Sequence, residues 1–467
     1  MAMIAISEVG AVPPAHKLVI TWGVVLLMLY FATLGQIRTD TATSNNPYVA
    51  HYQTLALHSA NQGENLIRDF VLLAAGLMFI SKARAVRWGL RSNPTLVLLA
   101  LLSICSCIWS QNPTRSLQNA IFLIANLLLA AFCVQRFDSE RLTRVIYLGG
   151  WALLAINIAV SLAFPQYGLD HRGADSAGAW IGIYPHKNVC CIVSVFMMSV
   201  AFYIKAAAPL AKLLRTIYIA LSLLIIFLSQ SRTGWIVLTV CIAYVTFVKL
   251  LHAFEQKDRR VVAIVAPACL CMGVVASLPY YGVIVSVLGK DSTFTGRTGI
   301  WQLVFDSVMK RPILGYGYGA FWSGLQGESA NISLASGWIV PHAHDGLLNV
   351  WLELGGVGLV LVIILFGRAI VDGWSCLKRG ESRYAEWHLC LLVLTVASNV
   401  SELTILVPNH LAWILCMVAC IGLREEASRL RVNRQQNGIS VQLQCREPKL
   451  MQAPGANAAS IEGVASM

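Results

Sequence analysis

The sequence predicts an all-α polytopic membrane protein with about twelve transmembrane helices. Three observations predict it. Of 467 residues, 57% are hydrophobic and only 12% are charged, against roughly 25% charged in soluble domains. Mean hydropathy is +0.65. Apolar runs near the length needed to cross a bilayer, about 20 residues, recur along the chain between short polar links.

The runs lie near 18–37, 69–81, 94–110, 116–134, 145–164, 188–204, 216–230, 234–251, 261–279, 346–367, 388–406 and 409–423. The first is too long for a cleavable leader and has no A-x-A-like site before Arg38, so it reads as a retained helix. The runs at 69–81 and 216–230 are short and must recruit flanking residues to cross. With the N-terminus in the cytoplasm, most of the 35 Lys and Arg fall on cytoplasmic links, and an even helix number returns the C-terminus to that side. About half of the acidic residues sort there too. The net charge of +12 is therefore a topology signal, not a nucleic-acid footprint. Residues 1–425 read as one integral membrane domain. Its long outer loop, 280–345, is expected to be a functional element, because structureless loops of that length are uncommon. Residues 426–467 read as a polar, largely disordered cytoplasmic tail.

Most of the 13 cysteines lie in apolar runs, and Cys376 and Cys445 fall on the reducing side. They read as small buried hydrophobes, not disulfide partners. Histidines are distributed differently: His51, His58, His171, His186, His342, His344 and His410 all fall at the outer side. Imidazole is the usual base for activating a hydroxyl near neutral pH. His342 and His344 form a close pair, but no third ligand is evident nearby, so no metal is expected.

Four segments could carry chemistry. The first runs from Pro341 to Gly358. His344 stands where the outer loop enters a span. Asp345 suits the helix N-cap and shares a helical face with Asn349. Gly355 and Gly358 are spaced to admit a neighbouring helix. The second is Ser229-Gln-Ser-Arg-Thr-Gly-Trp235. Arg232 either snorkels to headgroups or grips a phosphate with its planar fork. The third begins at Thr295 and ends at Gly319. Ile300, Trp301, Val304, Phe305 and Val308 follow helical spacing, and Pro312 ends the helix. The pattern reads as an amphipathic helix on the outer membrane surface, with Arg297 at its anion-favouring N-terminus. Tyr316 and Tyr318 alternate with Gly315, Gly317 and Gly319, either as a turn or as a substrate-lining loop. The fourth is Tyr184-Pro-His186-Lys187-Asn188, which with Arg172 either anchors the interface or adds positive charge for a substrate.

Together these segments resemble the O-antigen ligase/polymerase superfamily of bacterial membrane glycosyltransferases (Wzy/WaaL-like), and most closely its ExoQ-type exopolysaccharide polymerisation branch. The family's ligase pattern is His, then Asn, Ser or Gln, nine residues, then Gly-x-x-Gly. His344-Asp345, residues 346–354 and Gly355-Gly-Val-Gly358 match it, with Asp345 departing at the second position. The Ser-Arg-Thr-Gly turn, the Arg-x-Gly-x-Trp helix with its Pro-Ile-Leu-Gly-Tyr-Gly continuation, and the His-Lys-Asn segment look like family features. The resemblance implies a helical fold similar to the C-type glycosyltransferases, with a periplasmic active site in the bacterial inner membrane. It implies an undecaprenyl-diphosphate-linked oligosaccharide as donor, a second lipid-linked unit as acceptor, and no cofactor or metal. His344, Arg232 and Arg297 would be catalytic. Lys187, Arg172, His186, Asp345, Tyr316, Tyr318 and Trp301 would contact substrate. Membrane lipids, a chain-length regulator and a flippase of the same pathway are the expected partners. An O-antigen ligase with another acceptor, or a transporter of lipid-linked sugars, are the alternatives.

Overall fold

The computed structural model describes residues 23, 83–171, 176–255, 258, 297–378 and 382–446. Among these the chain is helical without a strand, and an isolated bridge joins Leu169 to Trp180. In chain order the helices are α1 (Ala83–Ser92), α2 (Pro94–Cys105), α3 (Pro113–Arg136), α4 (Ser139–Ala163), the single turn α5 (Pro165–Gly168), α6 (Lys187–Ser199), α7 (Pro209–Leu228), α8 (Arg232–Ala253), α9 (Arg297–Lys310), α10 (Glu328–Ser336), α11 (Gly346–Leu377), α12 (Arg383–Ser398) and α13 (Leu411–Arg446). Short 3-10 turns, Ser106–Ile108 and Val200–Phe202, extend α2 and α6.

Local chemistry sets the helix starts. Asn112, Asp138, Ser231, Asp345 and Ser382 each accept a backbone N–H of the following first turn, and proline opens α2, α3 and α7. The first half of α13 is apolar on all sides and buried, from Leu411 to Leu423, as a core helix must be. It packs against α12, α11 and α3. At the periphery α7 turns Leu213, Leu224 and Phe227 outward, α8 exposes Ile236 and Ile242, and α11 exposes Val360 and Ile363. Apolar surface on this scale belongs against lipid. Among the described residues, five helices, α3, α4, α7, α8 and α11, are long and apolar enough to cross a membrane. α2 and α6, with their 3-10 extensions, are shorter apolar helices.

The predicted runs at 18–37 (Gly23 apart), 69–81 and 261–279 lie outside the described residues. The others each carry a helix. Two boundaries differ. The run predicted over 388–406 stops as a helix at Ser398, where Asn399 caps it and a turn takes over. The last helix does not end near 423 but continues to Arg446, through residues read as largely disordered. Polar residues with an Arg429–Glu425 pair one turn apart sustain a helix, and the next proline is Pro448. The described part of the long loop is no structureless link. α9 packs on α11 and α10 packs on α9, around Val304, Val308, Tyr316, Phe321, Ile332 and Val340. Ten of the eleven cysteines among the described residues, all but Cys445, are seen as free thiols, most of them buried.

The bundle has two chemically distinct ends. At one end Glu140 bonds Lys205 and Arg144, His252 meets Glu386 at 2.6 Å, and Arg424 reaches Asp372. The other end gathers the α2–α3 turn, the starts of α6, α8 and α11, and the α12–α13 turn.

Candidate functional site

The scaffold of this second end is a break in α11. Gly355 has φ 67° and ψ −172°, a conformation reserved for glycine, so the helix opens there. Its freed groups pair with the chain that follows α9. Leu352 and Glu353 carbonyls accept from Tyr316 and Gly317 N–H at 3.0 and 2.9 Å, and Gly356 N–H donates to Pro312 at 2.8 Å. A Cβ on Gly355 would lie 2.0 Å from the Ile313 carbonyl oxygen. The glycine spacing expected to admit a neighbouring helix therefore admits this loop, while a Cβ on Gly358 would meet the side chain of Leu354 in its own helix. The α2–α3 turn clamps the loop from the opposite side. Gln111 donates to the Ala320 and Phe321 carbonyls, and Arg115 donates to the Trp322 carbonyl at 2.6 Å.

The histidine segment is pinned between α9 and α11. Trp301 of α9 donates its indole N–H to the Ala343 carbonyl at 2.9 Å. Asn349 of α11 accepts from the Trp322 indole N–H at 2.8 Å and from the Ala343 N–H at 3.4 Å. His344 is held at φ 52°, a left-handed conformation that few non-glycine residues adopt. Its ring centroid is 4.1 Å from that of His342 and 6.0 Å from that of Trp338. Asp345 caps α11, accepting from Leu348 N–H at 2.7 Å, and burial raises its carboxyl above the usual aspartate value.

The third wall is the α12–α13 turn. Asn399 folds it by accepting Thr404 and Ile405 N–H, and its carbonyl takes Gly346 N–H at 2.8 Å, tying the turn to the start of α11. Glu402 projects from this turn and is 7% exposed. The His342 and His344 ring nitrogens and a Glu402 oxygen all lie within 4.8 Å of one another. Asn188, in the first turn of α6, donates to Glu402 Oε1 at 2.5 Å and accepts from Ser231 Oγ at 2.8 Å. Ser231 is the N-cap of α8, one residue before Arg232, and Thr233 accepts from Ser401 of the turn at 3.1 Å. A continuous set of hydrogen bonds thus joins the starts of α6 and α8 to the carboxylate beside the histidines.

Three of the four sequence segments therefore meet around Glu402: His344, the Ser-Arg-Thr turn, and His186-Lys187-Asn188. Arg232 is exposed at the start of α8. His186 caps α6 through Nδ1, accepting Asn188 N–H at 3.1 Å, and Lys187 opens that helix half-buried. Arg297 opens α9, but its side chain, like the whole of Arg172, lies outside the described residues. The tyrosines face inward. Tyr316 and Tyr318 are 2% and 1% exposed, with hydroxyls donating to the Ser307 and Leu406 carbonyls. Backbone pairing turns the Gly-Tyr-Gly-Tyr-Gly chain inward against α11. Trp301 positions the histidine segment. Glu402 was missed because it stands inside an apparent apolar run. A carboxylate within such a run was itself the signal, since ionisable groups there are costly and usually functional. It also places a carboxylate donor beside the His342/His344 pair that the sequence spacing does not reveal.

Residues 217–363 match a family model described as O-antigen ligase. That stretch includes Arg232, Arg297 and His344, and stops short of Glu402. The chain is 27% identical to the exopolysaccharide production protein ExoQ of Rhizobium meliloti over 329 residues, 66% of this chain and 72% of that protein. It is 24% identical to a provisionally named polysaccharide ligase of Rickettsia prowazekii, covering 58% of this chain and 66% of the relative. A similarly named protein of Rickettsia felis is 23% identical, covering 62% and 71%.

Proposed function

We propose that this chain, which carries an O-antigen ligase family match and is similar to an ExoQ-type protein, belongs to that superfamily and polymerises undecaprenyl-diphosphate-linked oligosaccharide repeats into exopolysaccharide. In this reading it spans the bacterial inner membrane about twelve times, both termini are cytoplasmic, and the Glu402 end faces the periplasm. Residues 1–425 form the membrane domain, and a flippase and a chain-length regulator work beside it.

The observation that supports the reading is the convergence of His344, Glu402, Asn188 and the Arg232 turn. A sugar hydroxyl of the acceptor attacks the anomeric carbon of the donor. The new glycosidic C–O bond forms as the bond to the diphosphate breaks, and the polyprenyl diphosphate leaves with the electron pair. His344 takes the hydroxyl proton. Glu402, oriented by Asn188, stabilises the imidazolium that results. Arg232 and Arg297 hold the diphosphate and neutralise its growing charge. Lys187, His186 and Arg172 add to the positive rim, and the chemistry calls on no cofactor.

His344→Ala, Arg232→Ala and Arg297→Ala should each abolish polymer at unchanged protein level. Normal chain length in all three would remove the proposal. The names of the Rickettsia relatives favour a second reading, transfer of finished glycan to another acceptor. A polymerase-null strain accumulates single repeat units, whereas a ligase-null strain accumulates lipid-linked polymer.

A further inference from the structure

His342 has no part in the transfer chemistry above, yet it stands with His344 against a carboxylate. We propose that His342, His344 and Glu402 form a binding site for a divalent transition-metal ion of the zinc class, and that occupancy blocks the base function of His344. The inhibitory half of this proposal rests on the transferase reading; the binding site does not.

Two imidazoles and one carboxylate are a common three-ligand set for zinc, leaving the fourth position to water. Their donor atoms lie within 4.8 Å of one another, so small side-chain movements bring them to one ion. Each ligand is already held. Glu402 is fixed through Oε1 by Asn188, which Ser231 orients in turn, the kind of outer contact that tunes metal ligands. His342 Nδ1 accepts from His344 N–H at 3.1 Å, which fixes the orientation of the ring. The backbone between the histidines is clamped at Ala343 by Trp301 and Asn349. Glu402 is buried and both histidines are half-buried, so the site is shielded yet reachable. An ion there occupies the lone pair that His344 would use to accept a proton, so binding and catalysis compete.

The test uses the full-length protein in detergent, stripped with chelator, with zinc alone as the probe in equilibrium dialysis. One equivalent should bind near neutral pH and be lost as pH falls, since the imidazoles must be neutral. His342→Gln and Glu402→Gln should each lose that equivalent, and Asn188→Ala should weaken it about 10–100-fold. His252→Gln, at the opposite end of the bundle, should keep it. Should a variant fail to fold, cobalt substitution of the wild type gives a second readout: its spectrum should show nitrogen and oxygen ligands. Absence of binding, unchanged stoichiometry in the two glutamine variants, or a thiolate-to-cobalt band would each overturn the site. Binding without inhibition of polymer synthesis would overturn the competition. Polymer synthesis without any zinc binding would overturn the site and leave the transferase reading standing.

Discussion

Replacing Gly355 with alanine should disable the protein through its backbone. At φ 67° and ψ −172° an alanine costs roughly 1–3 kcal/mol in conformation alone. The new Cβ would stand 2.0 Å from the Ile313 carbonyl oxygen and 2.4 Å from Leu314 N, and backbone cannot rotate away as a side chain can. The 312–314 segment must then retreat. That gives up the bonds from Gly356 to Pro312 and from Val357 to Ile313, each worth about 1 kcal/mol net and more if its groups stay buried unpaired. The total is about 3–6 kcal/mol, a large part of ordinary stability. Chemical unfolding in detergent micelles measures it, with Gly367→Ala as the comparison. Gly367 lies in the same helix with no neighbour within 4 Å of its Cβ position, so alanine there should be neutral or stabilising by up to about 1 kcal/mol. Equal stability of the two variants would refute the pairing of the α11 break with the loop.

Further outcomes follow from the same geometry. Glu402→Gln should cut polymer synthesis by about 100-fold, the scale of one acid–base contribution, without loss of folded protein; wild-type turnover would remove Glu402 from the chemistry. Arg232→Lys should restore little of the activity lost in Arg232→Ala if two-point phosphate contact matters, as measured by single-turnover transfer from lipid-linked donor. Asn349→Leu leaves the Trp322 and Ala343 N–H groups without their acceptor and should cost about 1–3 kcal/mol, read by unfolding in micelles. Asp345 has a raised carboxyl, so its protonated form is the one the fold favours. Stability from this group is present below the usual aspartate value and is lost as pH rises through the raised one. Asp345→Asn keeps the cap and should flatten that decline.

Much of the helical architecture was legible because membrane helices announce themselves by composition. Two boundaries were not. The helix over 388–406 continues in apolarity past Ser398, but Asn399 takes the chain out of the helix by bonding Thr404 and Ile405 N–H, a local competition that hydropathy does not register. The polar half of α13 shows no span signal and is helical all the same. In the site, His344 and Arg232 stood out as polar residues at run ends. Glu402 did not, because the turn that presents it was hidden within an apolar stretch. The Gly-Tyr-Gly-Tyr-Gly chain and the Gly-x-x-Gly motif looked like separate features. They are the two halves of one backbone pairing, and pairing between segments about 40 residues apart leaves no periodic trace.

That pairing explains why the histidine needs the glycines. A base acting on one hydroxyl must be held to within a fraction of an ångström, yet His344 lies in a loop. The loop gains rigidity because the α11 break ties residues 312–317 to the helix that starts at Asp345, and Trp301 and Asn349 then close on Ala343 from both sides. Glu402 and the Arg232 turn belong to a second set of helices, held together by Asn188 on Glu402 and Ser231 and joined to the first by Gly346 N–H on the Asn399 carbonyl and by the Tyr318 hydroxyl on the Leu406 carbonyl. The site therefore lies where these two sets meet. Cutting a backbone brace, as Gly355→Ala does, should lower stability and activity together. Cutting a side-chain contact that orients Glu402, as Asn188→Ala does, should lower activity with little change in unfolding. If Asn188→Ala instead unfolds the protein as readily as Gly355→Ala, that contact is structural and the division fails.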